Sequence, residues 1–164
     1  MSATRNIAIA APRRRTLSSL VDLHESNYHR LLRLVPDLRY LEGTVVSRVA
    51  GALDLYLTVH RQQPYTTTLT LTYRFGDGYQ PNAGIVVYHD VHAAELISFI
   101  PRRRRSRSRE WSRGRMPDLD RKWRTNRFLQ KWLGFCHRQG HLFLLVTCHR
   151  IPPPLPVEPL RFHG

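Results

Sequence analysis

The stretch "YHDVHAAE" gathers His89, Asp90, His92 and Glu95 within seven residues. Histidine titrates near neutral pH, so His89 beside Asp90 is a pair that can move a proton, and two histidines with two carboxylates have the donor types of a metal site. Strand geometry argues against the metal. Residues three apart on a strand point to opposite faces, so His89 and His92 converge only if Asp90 and Val91 form a turn. The bland reading is that Asp90 caps a turn between two strands while His89 fills a half-buried position. His89, Asp90 and Glu95 thus stand as the candidate site of an enzyme, and no metal set is assigned.

Other reactive groups are less organised. Cys136 and Cys148 are the only cysteines, and their separation matches no zinc pattern or disulfide framework, so a reducing compartment is expected. His137 and His141 are four apart, but Gly140 is placed to end a helix between them. Ser18, Ser19 and Ser98 lack the strand–turn–helix context of an activated serine. The glycines of "FGDGYQPNAG" join strands and do not open a helix, which argues against a phosphate-cradling loop. No cofactor is expected.

The third candidate is electrostatic. The formal charge is +14, yet residues 100–115 alone carry eight arginines against Glu110, and Arg5, Arg13, Arg14 and Arg15 add four more with no acid before Asp22. Most of the surplus therefore belongs to two segments, and the remaining chain is close to balanced. Arg102, Arg103, Arg104, Arg105, Arg107, Arg109, Arg113 and Arg115 could clasp phosphates of RNA or DNA, with Trp111 stacking on an unpaired base. Against that, blocks of like charge are commonly just solvated. Only Lys122 and Lys131 accompany 24 arginines, a skew that GC-rich coding also produces.

These groups are positioned by a chain of single-domain length. Residues 1–15 read as a disordered basic arm. Leu17, Leu20, Val21, His24, Tyr28, Leu31, Leu32 and Val35 recur at steps of three and four, predicting a helix over 17–35, capped by Thr16 or Ser18 and stopped by Pro36. The period then changes to two. Strands are expected at 44–49, 53–60, 65–73, 85–88 and 95–100, with the second and third forming a hairpin. A row of Thr66, Thr68, Thr70 and Thr72, with Tyr56, Thr58 and His60, is expected to form the wet sheet face or a recognition surface. A second helix is predicted over 119–139, with Asp118 or Asp120 as cap and Trp123 and Trp132 as anchors. A last strand is placed at 142–146. The fold class is α+β, an antiparallel sheet of about five strands with two helices packed on one face. The domain spans 16–148, with an Arg-rich loop at 101–117 and a Pro-rich extended tail at 149–164.

Four motifs, "NYHRLLRLVP", "YTTTLTL", "VVYHDVHAAEL" and "DRKWRTNRFLQKWLGFCHRQG", together resemble the YqiB-like family of small bacterial proteins, a domain of unknown function. The resemblance covers residues 17–143 and implies one α+β unit in the bacterial cytosol; it carries no catalytic residue or ligand. The Arg-rich stretch departs from it and the proline tail lies outside it. With no run near the roughly 20 apolar residues that span a bilayer and no signal-peptide pattern, the protein is expected to be cytoplasmic and free of membrane. The leading expectation is a noncatalytic binding or adaptor module for an unidentified protein partner.

Overall fold

In a computed structural model of the chain, residues 15–76, 78–98, 118–145 and 149–151 are described. The element order is α1 (Leu17–Leu34), a single 3-10 turn at Leu38–Tyr40, β1 (Gly43–Ser47), β2 (Leu55–Gln62), β3 (Thr66–Phe75), β4 (Gly78–Tyr88), β5 (Ala93–Ser98), α2 (Asp118–Arg138) and β6 (His149–Ile151). The strands form one antiparallel sheet in the order β5-β4-β3-β2-β1-β6. The Arg-rich loop, residues 1–14 of the basic arm and residues 152–164 of the tail lie outside the described residues.

Alternation sets the two faces. Val45, Leu55, Leu57, Leu69, Leu71, Tyr73, Ile85, Val87 and Leu96 point to one side, where Leu31 and Leu34 of α1 and Leu129, Trp132, Leu133 and Cys136 of α2 complete the core. Trp132 stacks on Phe128 at 6.3 Å, as befits an anchor. Trp123 instead stays half-exposed beneath the Arg15 guanidinium, 5.2 Å from its ring centroid. Arg15, the last residue of the basic arm, also bonds Asp120 at 2.9 Å.

α1 begins with a reciprocal capping box: Ser19 N donates to Thr16 Oγ1 at 3.1 Å, and Thr16 N donates to Ser19 Oγ at 2.9 Å. It ends at Val35, before Pro36. Its buried stripe runs through Leu20, Leu23, Asn27, Leu31 and Leu34, leaving Leu17 and Val21 in solvent. Asn27 is fully buried because it faces Asn126 of α2: its Nδ2 donates to Asn126 O at 3.2 Å, while Asn126 Oδ1 accepts the Leu96 N–H of edge strand β5 at 2.9 Å. Ser26 meets Gln130 at 2.7 Å, and Arg30 lies over Gly134. Residue numbers therefore rise together along the contact, so α1 and α2 run side by side in the same direction. Past α2, Gly140 takes a positive φ of 87°, and His141 N donates back to Cys136 O at 3.2 Å.

The structure corrects three sequence expectations. Most of "FGDGYQPNAG" is not a loop but the first half of β4. A register slip lets this happen: Leu71 faces Ala83 while Tyr73 faces Gln80, so Pro81, which lacks an N–H, sits where the ladder is already irregular. Residues 142–145 are not a strand, because Leu142 N, Phe143 N and Leu145 N donate to Ser47 Oγ, Leu34 O and Asp37 Oδ2. The sixth strand comes later, as β6 pairs with β1 inside what the sequence suggested was tail. Finally, the threonine row is not wet. Thr68, Thr70 and Thr72 are each 6% exposed, flanked by same-face neighbours: Val86 beside Thr68, Thr58 beside Thr70 and Tyr56 beside Thr72.

Removing the amide that joins three elements should cost more than a surface change. Asn126→Ala strands the Leu96 N–H and leaves the Asn27 amide with fewer partners, and is expected to lower unfolding free energy by about 2–3 kcal/mol in urea denaturation.

Candidate functional site

One end of the sheet draws together residues that are far apart in sequence. The 3-10 turn, the β2–β3 turn and the β4–β5 turn meet there. Arg39 Nη2 donates to Pro64 O at 2.8 Å, Gln62 Nε2 to Leu38 O at 3.2 Å, and His89 N to Tyr65 O at 2.9 Å. A bulge between Val59 and Arg61 in β2 reverses the alternation, which brings Gln62 opposite Thr67. The Thr67 hydroxyl donates to Gln62 Oε1 at 2.6 Å and so has no second proton for its 2.8 Å contact with His89 Nε2. His89 must supply that proton. The chain from His89 through Thr67 and Gln62 to the Leu38 carbonyl thus fixes neutral His89 with its proton on Nε2 and its lone pair on Nδ1.

Residues 89–92 do turn, and the turn brings both histidines to Tyr28: ring centroids lie 6.2 Å from His89 and 5.2 Å from His92. His29 adds a third imidazole, 5.6 Å from Tyr28 and 6.4 Å from His92. His92 is held at φ 51°, a left-handed conformation that costs a side-chain-bearing residue energy and is retained where surrounding contacts demand it. His29, Asp90 and His92 are exposed, whereas His89 is buried. Burial depresses the His89 pKa first, Arg39 and His92 lower it further, and Asp90 opposes them. Tyr28, His29, Arg39, Gln62 and Thr67 escaped sequence reasoning because only tertiary contacts bring them to this place.

Glu95, the third candidate, lies elsewhere. It points toward α2, with its Oε1 3.7 Å from Lys122 Nζ and both groups acting on His24. A cleft of about 180 Å³ opens there, lined by Glu95, Ser98, Arg121, Lys122 and Thr125. That is below the roughly 300–1,000 Å³ of ordinary ligand pockets.

A second histidine cluster is wholly internal. His141 Nδ1 lies 3.0 Å from Ser47 Oγ, and its ring is 5.4 Å from that of Tyr73. Cys136 packs in the same core, where desolvation raises its thiol pKa to about 11 and holds the Tyr73 phenol far above its usual range. Buried without partners among the described residues are Tyr73 Oη and His141 Nε2. His137 is exposed on the other side of the Gly140 turn. Among the described residues no three His, Cys, Asp or Glu side chains gather closely enough to hold a metal ion, and no helix is long and apolar enough to cross a membrane. The Arg102 to Arg115 candidates, Trp111 and Cys148 lie outside the described residues.

Fold and site together define an α+β protein: a six-stranded antiparallel sheet under two parallel helices, with a histidine- and tyrosine-rich end. The chain belongs to the family described as protein of unknown function (DUF1249), whose model matches residues 30–142. That span runs from the middle of α1 to just beyond α2 and contains the whole β4–β5 turn. No curated protein and no solved structure matches the chain.

His24, His60, His89 and His141 all have pKa values lowered from 6.5, desolvation being the largest cause in each. The unfolded chain therefore binds more protons than the folded one below pH 6.5, so stability is full above that value and declines as pH falls through the folded pKa values. The thermal midpoint is expected to drop between pH 7.5 and 5.5, and to drop less in His141→Phe, as measured by circular dichroism.

Proposed function

We propose that this chain is a noncatalytic binding module of the bacterial cytosol that grips a protein partner with the end of the sheet just described. The observation that carries the reading is the exposure of large side chains on a pinned backbone: Tyr40 is 73% exposed, Tyr65 66% and Val91 66%. Single exposed apolar residues are ordinary, but these flank the three hydrogen bonds that tie the turns together. Tyrosine and arginine dominate binding hot spots, and a preorganised surface loses little entropy on association. Arg39 and the strained His92 stand at the same end.

The YqiB-like resemblance of the four motifs supports a bacterial, cytoplasmic setting. An enzyme centred on His89 and Asp90 would need a recess at those side chains; the cleft noted above opens at Glu95 instead. Nucleic-acid binding through the Arg-rich loop and the N-terminal arm depends on segments outside the described residues.

The test is affinity capture from the native cell after nuclease treatment, with wild type and Tyr40→Ser/Tyr65→Ser. Wild type is expected to retain a protein partner that the double variant loses at least tenfold, with the thermal midpoint unchanged because both side chains are exposed. Equal recovery by the variant, or a partner that vanishes on nuclease treatment, sinks the reading.

A further inference from the structure

α2 carries Arg124, Arg127, Lys131, Gly134 and Arg138 at steps of three, four, three and four, which places all five on one stripe of the helix. The four cations are exposed and span about 21 Å of helix axis, given a rise of roughly 1.5 Å per residue. Glycine is a poor residue for a helix interior, so Gly134 calls for a local reason. Its surroundings supply one: a methyl there would lie 3.1 Å from Arg30 Nη1 and 3.3 Å from Arg138 Nη1. The missing side chain lets one guanidinium from each helix reach the same spot.

Two like charges converging in this way repel unless an anion lies between them. Among the described residues neither Arg30 nor Arg138 pairs with a carboxylate. The acids of α2 are committed nearer its start: Asp118 to Arg121, Asp120 to Arg15 and Arg124. Arg127 contacts the neutral Gln130. The second half of the stripe is therefore cationic without internal compensation.

We infer that the α1–α2 seam binds the sugar–phosphate backbone of a nucleic acid, with one phosphate between Arg30 and Arg138 over Gly134 and its neighbours along Lys131 and Arg127. Guanidinium forks match phosphate oxygens, and two forks facing one point suit a tetrahedral oxyanion. A single phosphorylated side chain would engage only the Arg30–Arg138 pair and leave the rest of the row idle. A row of cations on a rigid helix suits a polymer whose charge repeats. This surface is separate from the Tyr40–Tyr65 end and from residues 102–115.

The experiment is fluorescence anisotropy of the full chain with a labelled 20-nucleotide single-stranded RNA, its DNA counterpart and a duplex, at 50 and 200 mM salt. The seam variant Arg30→Gln/Arg138→Gln is compared with Arg48→Gln/Arg61→Gln, which removes the same charge elsewhere. The seam variant is expected to bind at least fivefold more weakly at 50 mM salt, with the log–log salt slope for single strands reduced by about 1.4, roughly 0.7 per lost phosphate contact. The control pair is expected to change binding less than twofold. Gly134→Ala keeps every charge but crowds both guanidiniums, and is expected to raise the thermal midpoint while weakening binding. Equal weakening by both double variants overturns the proposal, as does unchanged binding by the seam variant, binding confined to anionic lipid vesicles, or no oligonucleotide binding by wild type.

Discussion

The buried pair Asn27–Asn126 is the constraint around which the rest is arranged. A fully buried amide is tolerated only when its hydrogen bonds are made, because each polar group left dry and unpaired costs about 1–3 kcal/mol. Asn126 meets this by accepting from the backbone of β5 at Leu96 and donating to Lys122 O, while Asn27 donates to the backbone of α2. Two helices and a strand edge are thereby fixed in register by two side chains. A purely apolar seam would let the parallel helices slide by a turn at little cost; this one cannot slide without orphaning several groups. Everything downstream of that register, including the approach of Arg30 to Gly134 and of Arg15 to Trp123, inherits it.

The same requirement separates the two histidine-bearing regions. His141 is packed among Tyr73, Cys136 and Ser47 in the core, where desolvation keeps the imidazole neutral and the thiol protonated. Such groups are inert because their charged forms are excluded. At the end of the sheet, His89 is also kept neutral, but its neighbours His29 and His92 reach solvent and its tautomer is set by Thr67. Both arrangements follow from burial, yet only the second presents imidazole and phenol edges outward.

Local pattern made the architecture legible: the 3.6 period of α1, the clean alternation of β2 and β3, the Pro36 stop and the Gly140 exit all carried through. The apolar stripe of α1 was read one position off, taking in Leu17 and Val21, because a buried Asn27 does not register as core by residue type. β4 was half missed because Gly and Pro signal turns unless a register slip absorbs them, and the slip is set by β3, not by β4 itself. β6 was hidden because a three-residue strand borrows its stability from β1. The site was legible only in part. His89, Asp90 and His92 were visible as a cluster, but Tyr28, Arg39, Gln62 and Thr67 join them through contacts between 22 and 65 residues distant in sequence from one another or more loosely through turns, which no periodicity encodes. Glu95 was grouped with them by proximity in sequence and was carried away by the strand that holds it.

The Asn126–Leu96 bond also bears on how the molecule behaves among copies of itself. Outer strands of a sheet offer unpaired amides that invite another chain to add on and seed fibres. At β5 one such amide is already taken by a helix side chain, and at the opposite border β6 is only three residues long, with Pro152 next in sequence. Both borders are thus poor templates for lateral growth, a property suited to a chain that has to persist at high concentration without sticking to its own kind.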